Sequence, residues 1–178
     1  MEFKELIKRR RSVRSLQAGR TIDKETIEEI LRDTQMAPSY RNSQTGRYYV
    51  VCDPEKMAKI SNDLLPERNR LGSRNTCAYI VTTFVKGIAG FTNGAADNEL
   101  GDEWGAYDLG LQNAYFVLSA SDHGLDTLIM GIRDAQGLRA LLDIPEEEEV
   151  AAVLSIGYRD GEPALRPRKD LGEIAFFS

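Results

Sequence analysis

Cysteine and histidine are scarce in this 178-residue chain, which has two cysteines, one histidine and a single tryptophan. Cys52 and Cys77 have no C-x-x-C spacing and His123 has no second imidazole to join it. Tight zinc sites and His-dependent nucleophile triads therefore lack their parts, and no metal site or catalytic side chain is expected. No apolar run reaches the roughly 18 residues that a membrane span needs. The opening Met1-Glu2-Phe3-Lys4 holds no apolar signal region, so the expected location is cytoplasmic. A G-x-G-x-x-G turn after a strand is missing, and with it a dinucleotide-binding unit of the chain's own. Repeats and low-complexity tracts are missing as well. A net charge of −5 and a pI near 5.1, with no basic stripe interleaved with aromatics, argue against nucleic acid as a partner.

Hydrophobic residues make up 42% and charged residues 29% of the sequence, enough for one well-filled core and one domain spanning residues 1–178. Positive charge is concentrated rather than spread. Residues 1–20 carry seven Lys or Arg against two Glu, a local +5, while the remaining 158 residues sum to −10. Phe3, Leu6 and Ile7 form an i, i+3, i+4 stripe, and a continuous helix would bring Arg10 and Arg14 to within about 20° of Phe3. Arginine on a buried face calls for an anion, and its planar fork suits phosphate. A phosphorylated ligand at a boundary between elements or subunits is the functional reading; a solvated basic helix end is the alternative.

Further along, Asp23 is placed to cap a helix carrying Ile27, Ile30, Leu31 and Thr34, which Pro38 ends. Tyr48 to Cys52 reads as a strand, Asp53-Pro54 as the start of a helix with Met57, Ile60 and Leu64, and Tyr79 to Val85 as the next strand. Between Gly87 and Glu103 periodicity is lost and four glycines gather, a pattern that suits either a lid or an ordinary surface loop. Gly105 to His123 reads as a central, buried helix, apolar around much of its circumference, with Tyr107, Leu111, Ala114, Tyr115 and Leu118 on one stripe and Phe116 and Val117 beside it, and His123 as a helix-end residue before Gly124. Leu125 to Met130 reads as a short apolar run stopped by Gly131 and Val150 to Ile156 as a strand, with a short helix capped by Asp134 between them and a solvated acidic loop at Glu146 to Glu149. Both cysteines are expected in buried positions near strand ends. The tail adds a second basic cluster, Arg166-Pro167-Arg168-Lys169, then Leu171, Ile174, Phe176 and Phe177, an apolar ending that a partner subunit would cover.

Four segments in order, Arg10-Arg11-Ser12-Val13-Arg14, Ala37-Pro38-Ser39-Tyr40-Arg41-Asn42-Ser43-Gln44, Gly124-Leu125-Asp126-Thr127-Leu128-Ile129-Met130-Gly131 and Arg168-Lys169-Asp170-Leu171, resemble the nitroreductase family of flavin enzymes over essentially the whole chain. The resemblance implies a three-layer α+β fold, a mixed central sheet of four to five strands wrapped by helices, and an intertwined homodimer with FMN in its interface. By the same resemblance Arg10, Arg11, Ser12 and Arg14 hold the phosphate and ribityl end of FMN, and Arg168 and Lys169, with Arg166, close on it from the tail. Pro38, Ser39, Asn42 and Gln44 approach the flavin ring from the partner, Met130 and Gly131 offer backbone to it, and Asn69 is a further contact. Gln44-Thr45-Gly46 departs from the family's usual Gln-Pro-Trp and so lacks an aromatic and a rigid turn. Phe91 and Trp104 are the candidate walls of the substrate channel.

The implied activity is reduction of nitro compounds, quinones or similar electron-poor acceptors by NAD(P)H, a visiting substrate, in ping-pong fashion. Flavin storage, redox sensing, dehalogenation or flavin degradation on the same scaffold are the alternatives, as is a binding module for another phosphate compound.

Overall fold

The structure, a computed structural model, describes residues 2–178. Its elements run α1 (Phe3–Arg9), α2 (Lys24–Gln35), β1 (Gly46–Val51), α3 (Pro54–Lys59), α4 (Glu67–Gly72), β2 (Ala78–Val85), β3 (Phe91–Thr92), β4 (Ala95–Ala96), α5 (Glu103–Asp122), β5 (Asp126–Met130), α6 (Ala135–Leu142) and β6 (Glu148–Gly157). Three of the helices start where an aspartate satisfies a free backbone donor. Asp23 accepts from Thr26 N at 2.7 Å, Asp53 from Lys56 N at 2.8 Å and Asp134 from Gly137 N at 3.0 Å.

The Thr26 backbone and side-chain hydrogen bonds hold the Asp23 carboxyl below its ordinary value. A depressed carboxyl stabilises the fold above its unfolded value and loses that contribution as pH falls through the folded one. Asp23→Ala is therefore expected to lower the unfolding temperature at neutral pH, with a penalty that shrinks below about pH 4. Thermal unfolding followed by circular dichroism across that range checks it.

The main sheet has the order β1-β2-β6-β5 with every neighbouring pair antiparallel. Its parallel component is an isolated bridge from Ser12 to Thr127 on the β5 edge. Alternation along the central strands sends side chains to two cores. Tyr79, Val81, Leu128, Met130 and Val153 pack with Ile60, Leu64 and Leu138 on one side; Ala78, Ile80, Leu154 and Ile156 pack with Ile27, Ile30, Phe116 and Ala120 on the other. The result is helices on both faces of a sheet. Each fully buried aliphatic or aromatic side chain here contributes about 1.5–3 kcal/mol before entropy costs. No helix among the described residues is long and apolar enough to cross a membrane.

Several readings of the sequence need correction. The first helix stops at Arg9, because Arg10 takes an extended conformation (φ −59°, ψ 127°) and Ser12-Val13 pairs with the edge of β5. Val13 N donates to Thr127 O at 3.0 Å. Arg10 to Arg14 thus follows a strand-like course with Val13 buried, and does not continue the stripe of Phe3 and Ile7, which are themselves exposed. On α5 the buried face is Asp108, Leu109, Gln112, Asn113, Phe116, Val117 and Ala120, while Tyr107 and Tyr115 are exposed. Gly105 decides this rotation: a Cβ there would lie 2.4 Å from the Phe84 ring, so the helix meets the sheet through its small side. Glu148 is buried rather than solvated, accepting hydrogen bonds from Thr83 Oγ1 and from Tyr49 OH at 2.9 Å. Cys52 is exposed and Cys77 half-buried.

Candidate functional site

Two loops carry most of the expected site residues. In the first, the extended course of Arg10 to Ser15 lies beside the 160–168 segment, and between them opens a cavity of about 710 Å³. Arg10, Arg11, Ser12, Arg14, Arg166 and Arg168 line it, as six of the expected residues; Lys169 is outside the lining. Arg68 from α4 lines it too and was not expected. Its only trace in the sequence is the spacing of Arg68, Arg70 and Arg74 after Pro66, which alone points to no ligand. Asp160 and Glu162 are the acidic groups in this wall.

Six guanidinium groups on one cavity repel one another. Burial, then the charges of Arg11 and Arg168, hold Arg10 below its ordinary value, and the group remains cationic at neutral pH. Within that pH range the repulsion is a constant cost, and an anion in the cavity would relieve it. The Arg14 guanidinium has one long intrachain contact, 3.4 Å to Ser12 O, and is exposed. Arg9 differs from its neighbours: its Nη1 donates to Ser121 O at 2.5 Å and Ser121 Oγ at 2.7 Å, capping the C-terminal end of α5.

The second loop, Pro38 to Gln44, is under backbone strain. Arg41 (φ 48°), Asn42 (φ 57°) and Gln44 (φ 50°) all lie in the left-handed region without being glycine. Surrounding side chains hold them there. Ser39 Oγ accepts from Gln44 N at 3.0 Å, and the buried Asp108 carboxylate accepts from Tyr40 N at 2.8 Å. Burial pushes Asp108 above its ordinary value, partly offset by the hydrogen bond it accepts from Tyr40 N. Pro38, Asn42 and Gln44 stay exposed and Ser39 half-buried, presenting short polar groups outward.

The Gly87 to Glu103 segment is tied to this loop. Tyr40 OH donates to Asp97 at 2.7 Å, Arg41 Nη1 donates to Thr92 Oγ1 at 2.6 Å, and Asp102 accepts from Gly87 N at 2.6 Å. Trp104 packs against Tyr40 (ring centroids 5.1 Å apart) and Tyr107 (5.7 Å), forming an aromatic wall beside the loop. Gly90 permits this approach, since a Cβ there would lie 2.5 Å from the indole.

Asn69 Nδ2 donates to Ile132 O at 2.8 Å, bringing α4 to the end of β5 where Met130 and Gly131 lie. Met130 is buried, with its side chain in the core, whereas Gly131 is exposed and its carbonyl accepts from Arg133. Under the Pro38–Gln44 loop, Thr45 Oγ1, Gln112 Oε1 and Asn113 Oδ1 are buried without a hydrogen-bond partner. Such groups cost about 1–3 kcal/mol each when unpaired. The arginine cavity fits the phosphate end of a phosphorylated cofactor. Among the described residues no group of His, Cys, Asp or Glu could hold a metal ion.

A central antiparallel sheet between helical layers, with an arginine-lined cavity and a strained polar loop, defines an α+β protein with a candidate anion site. The nitroreductase family model matches residues 7–158, and the chain belongs to the nitroreductase family. It is 30% identical over 174 residues to an Archaeoglobus fulgidus protein whose inferred name is NADH dehydrogenase/NAD(P)H nitroreductase, covering 90% of this chain and 87% of that one. It is 27% identical over 195 residues to MhqN of Bacillus subtilis, an inferred NAD(P)H nitroreductase, covering 94% and 93% of the two chains. The fold is shared, at TM-score 0.87 and 21% identity, with an inferred nitroreductase from Exiguobacterium sibiricum solved in complex with FMN, covering 100% of this chain and 98% of that one.

Proposed function

We propose that the chain, as a single FMN-binding domain over residues 1–178, is a cytoplasmic, homodimeric oxidoreductase that uses NAD(P)H to reduce nitro compounds, quinones or similar electron-poor acceptors. The observation that carries this reading is the convergence of six arginines on one cavity in an acidic protein. The names of the Archaeoglobus and Bacillus relatives support the nicotinamide donor, and the FMN in the Exiguobacterium structure supports the cofactor.

Arg10, Arg11, Ser12 and Arg14 bind the phosphate and ribityl end, joined by Arg68 and closed from the tail by Arg166, Arg168 and Lys169. Charge-assisted, two-pronged contacts from arginine suit a phosphate dianion better than any neutral ligand. Pro38, Ser39, Asn42 and Gln44 face the ring in the partner subunit, oriented by Asp108 and Ser39. Asn69 and the backbone of Met130 and Gly131 serve the ring within the same subunit. Bound FMN supplies the two-electron chemistry between donor and acceptor. Tyr40, Trp104 and Tyr107 give a flat acceptor a stacking wall, worth roughly 0.5–1.5 kcal/mol per aromatic pair. Exposed Phe3, Tyr107, Tyr115 and Phe176 supply apolar surface for the second subunit.

Steady-state kinetics test the shared site. Parallel double-reciprocal lines for donor and acceptor are expected, because each substrate must leave before the other enters. Intersecting lines would show both bound together and overturn the common-site reading.

Neither thiol belongs to the reaction. Burial pushes both Cys52 and Cys77 up from the ordinary thiol value, and Cys77 Sγ donates to Arg20 O at 3.2 Å. Raised thiols are poor nucleophiles at neutral pH. Cys52→Ser and Cys77→Ser should leave turnover within about twofold of wild type. Loss of turnover with flavin content preserved would reveal a thiol step.

A further inference from the structure

Behind the arginine cavity, outside its lining, lies a buried ion pair that none of the phosphate-site residues includes. Arg159 Nε and Nη2 donate to the two oxygens of Asp126 at 2.9 and 2.6 Å, a two-pronged contact with a carboxylate that is itself buried. The same Nη2 donates to Arg9 O at 3.1 Å, and Nη1 to Glu162 at 3.0 Å. One guanidinium thus joins the start of β5, the residue before Arg10, and the loop that carries Glu162 into the cavity wall.

Backbone contacts run the same way. Asp160 N donates to Ser15 O at 2.8 Å, Gln17 N to Tyr158 O at 2.9 Å, and Leu16 bridges Arg159. The two chain segments that wall the cavity are therefore fastened to each other, and the Arg159 side chain reaches from one to the other and on into the sheet. Its two-pronged edge is spent on Asp126, so it cannot offer that edge to an anion. Asp126 is buried in the run Leu125 to Met130, whose other members apart from Thr127 are apolar, and a carboxylate there demands such a partner.

We infer that Arg159 and Asp126 are positioning residues for the phosphate site: they set the separation of the Arg10–Arg14 course from the 160–168 segment, and so the discrimination between phosphorylated and unphosphorylated flavin, a role that rests on the FMN reading above. A guanidinium is needed for this because a lysine has the charge but cannot reach both Asp126 oxygens and the Arg9 carbonyl at once.

The test is equilibrium binding of FMN and of riboflavin to the full-length apoprotein, followed by flavin fluorescence, in wild type, Arg159→Lys and Asp126→Asn. Riboflavin shares the ring and ribityl chain and lacks the phosphate. Both variants are expected to weaken FMN about tenfold and leave riboflavin within about twofold, so that the FMN-to-riboflavin ratio falls. Asp126→Asn keeps the side-chain volume and serves as the second reading if Arg159→Lys does not fold. Equal weakening of both flavins, or an unchanged ratio in folded variants, would show a merely structural pair and overturn the inference. A wild-type protein that binds neither flavin would instead overturn the FMN reading, and this inference with it.

Discussion

Arg14→Ala is expected to weaken FMN binding by about 10 to 150-fold, the equivalent of losing one charge-assisted hydrogen bond worth roughly 1.5–3 kcal/mol. The expectation follows from how little else Arg14 does. Arg9 caps α5 and Arg159 is spent on Asp126, so their removal would unsettle the fold, whereas Arg14 lines the cavity with a 3.4 Å contact to Ser12 O. Stability should accordingly change little; five other arginines remain to line the cavity. Titration of apoprotein with FMN and thermal unfolding of the same sample separate the two effects. Unchanged FMN affinity would remove Arg14 from the site.

Deletion of residues 171–178 is expected to weaken dimerisation and flavin retention together. Leu171, Ile174, Phe176 and Phe177 lie 63–90% exposed on one chain, more large apolar surface than a short tail keeps without a partner. Covering four such side chains yields roughly 6–12 kcal/mol gross per tail, a substantial offset to the cost of association. Arg166, Arg168 and Lys169 precede this anchor directly, so its loss frees the basic cluster that closes the phosphate end. Light scattering and flavin absorbance on the same fractions check the coupling. A flavin-loaded monomer at micromolar concentration would contradict the shared site.

Local chemistry made much of this legible. Asp23, Asp53 and Asp134 cap helices where their short side chains meet free backbone donors three residues on, and such contacts need nothing distant. The arginine cluster was legible as a concentration of positive charge for the same reason, although its conformation was not. A helix through Arg14 satisfies the local pattern, but pairing of Ser12-Val13 with β5 depends on an edge more than a hundred residues away. The buried face of α5 was not legible because a helix apolar around much of its circumference gives no preferred direction, and the approach of Gly105 to Phe84 is set by the fold. Arg68, Glu148 and the Asp126–Arg159 pair share the same obstacle: each owes its role to a partner remote in the chain. The matched family segments brought the loop residues Pro38, Ser39, Asn42 and Gln44 into view; the strain at Arg41, Asn42 and Gln44 emerged only in three dimensions.

The central claim, an FMN oxidoreductase fed by a nicotinamide, meets its most direct test in one anaerobic titration of the purified protein. The flavin absorbance should bleach on addition of NADH or NADPH and return, without lag or loss of cofactor, when a nitroaromatic or quinone is added. A protein that carries FMN but stays oxidised with both nicotinamides would contradict the claim and favour flavin storage or sensing.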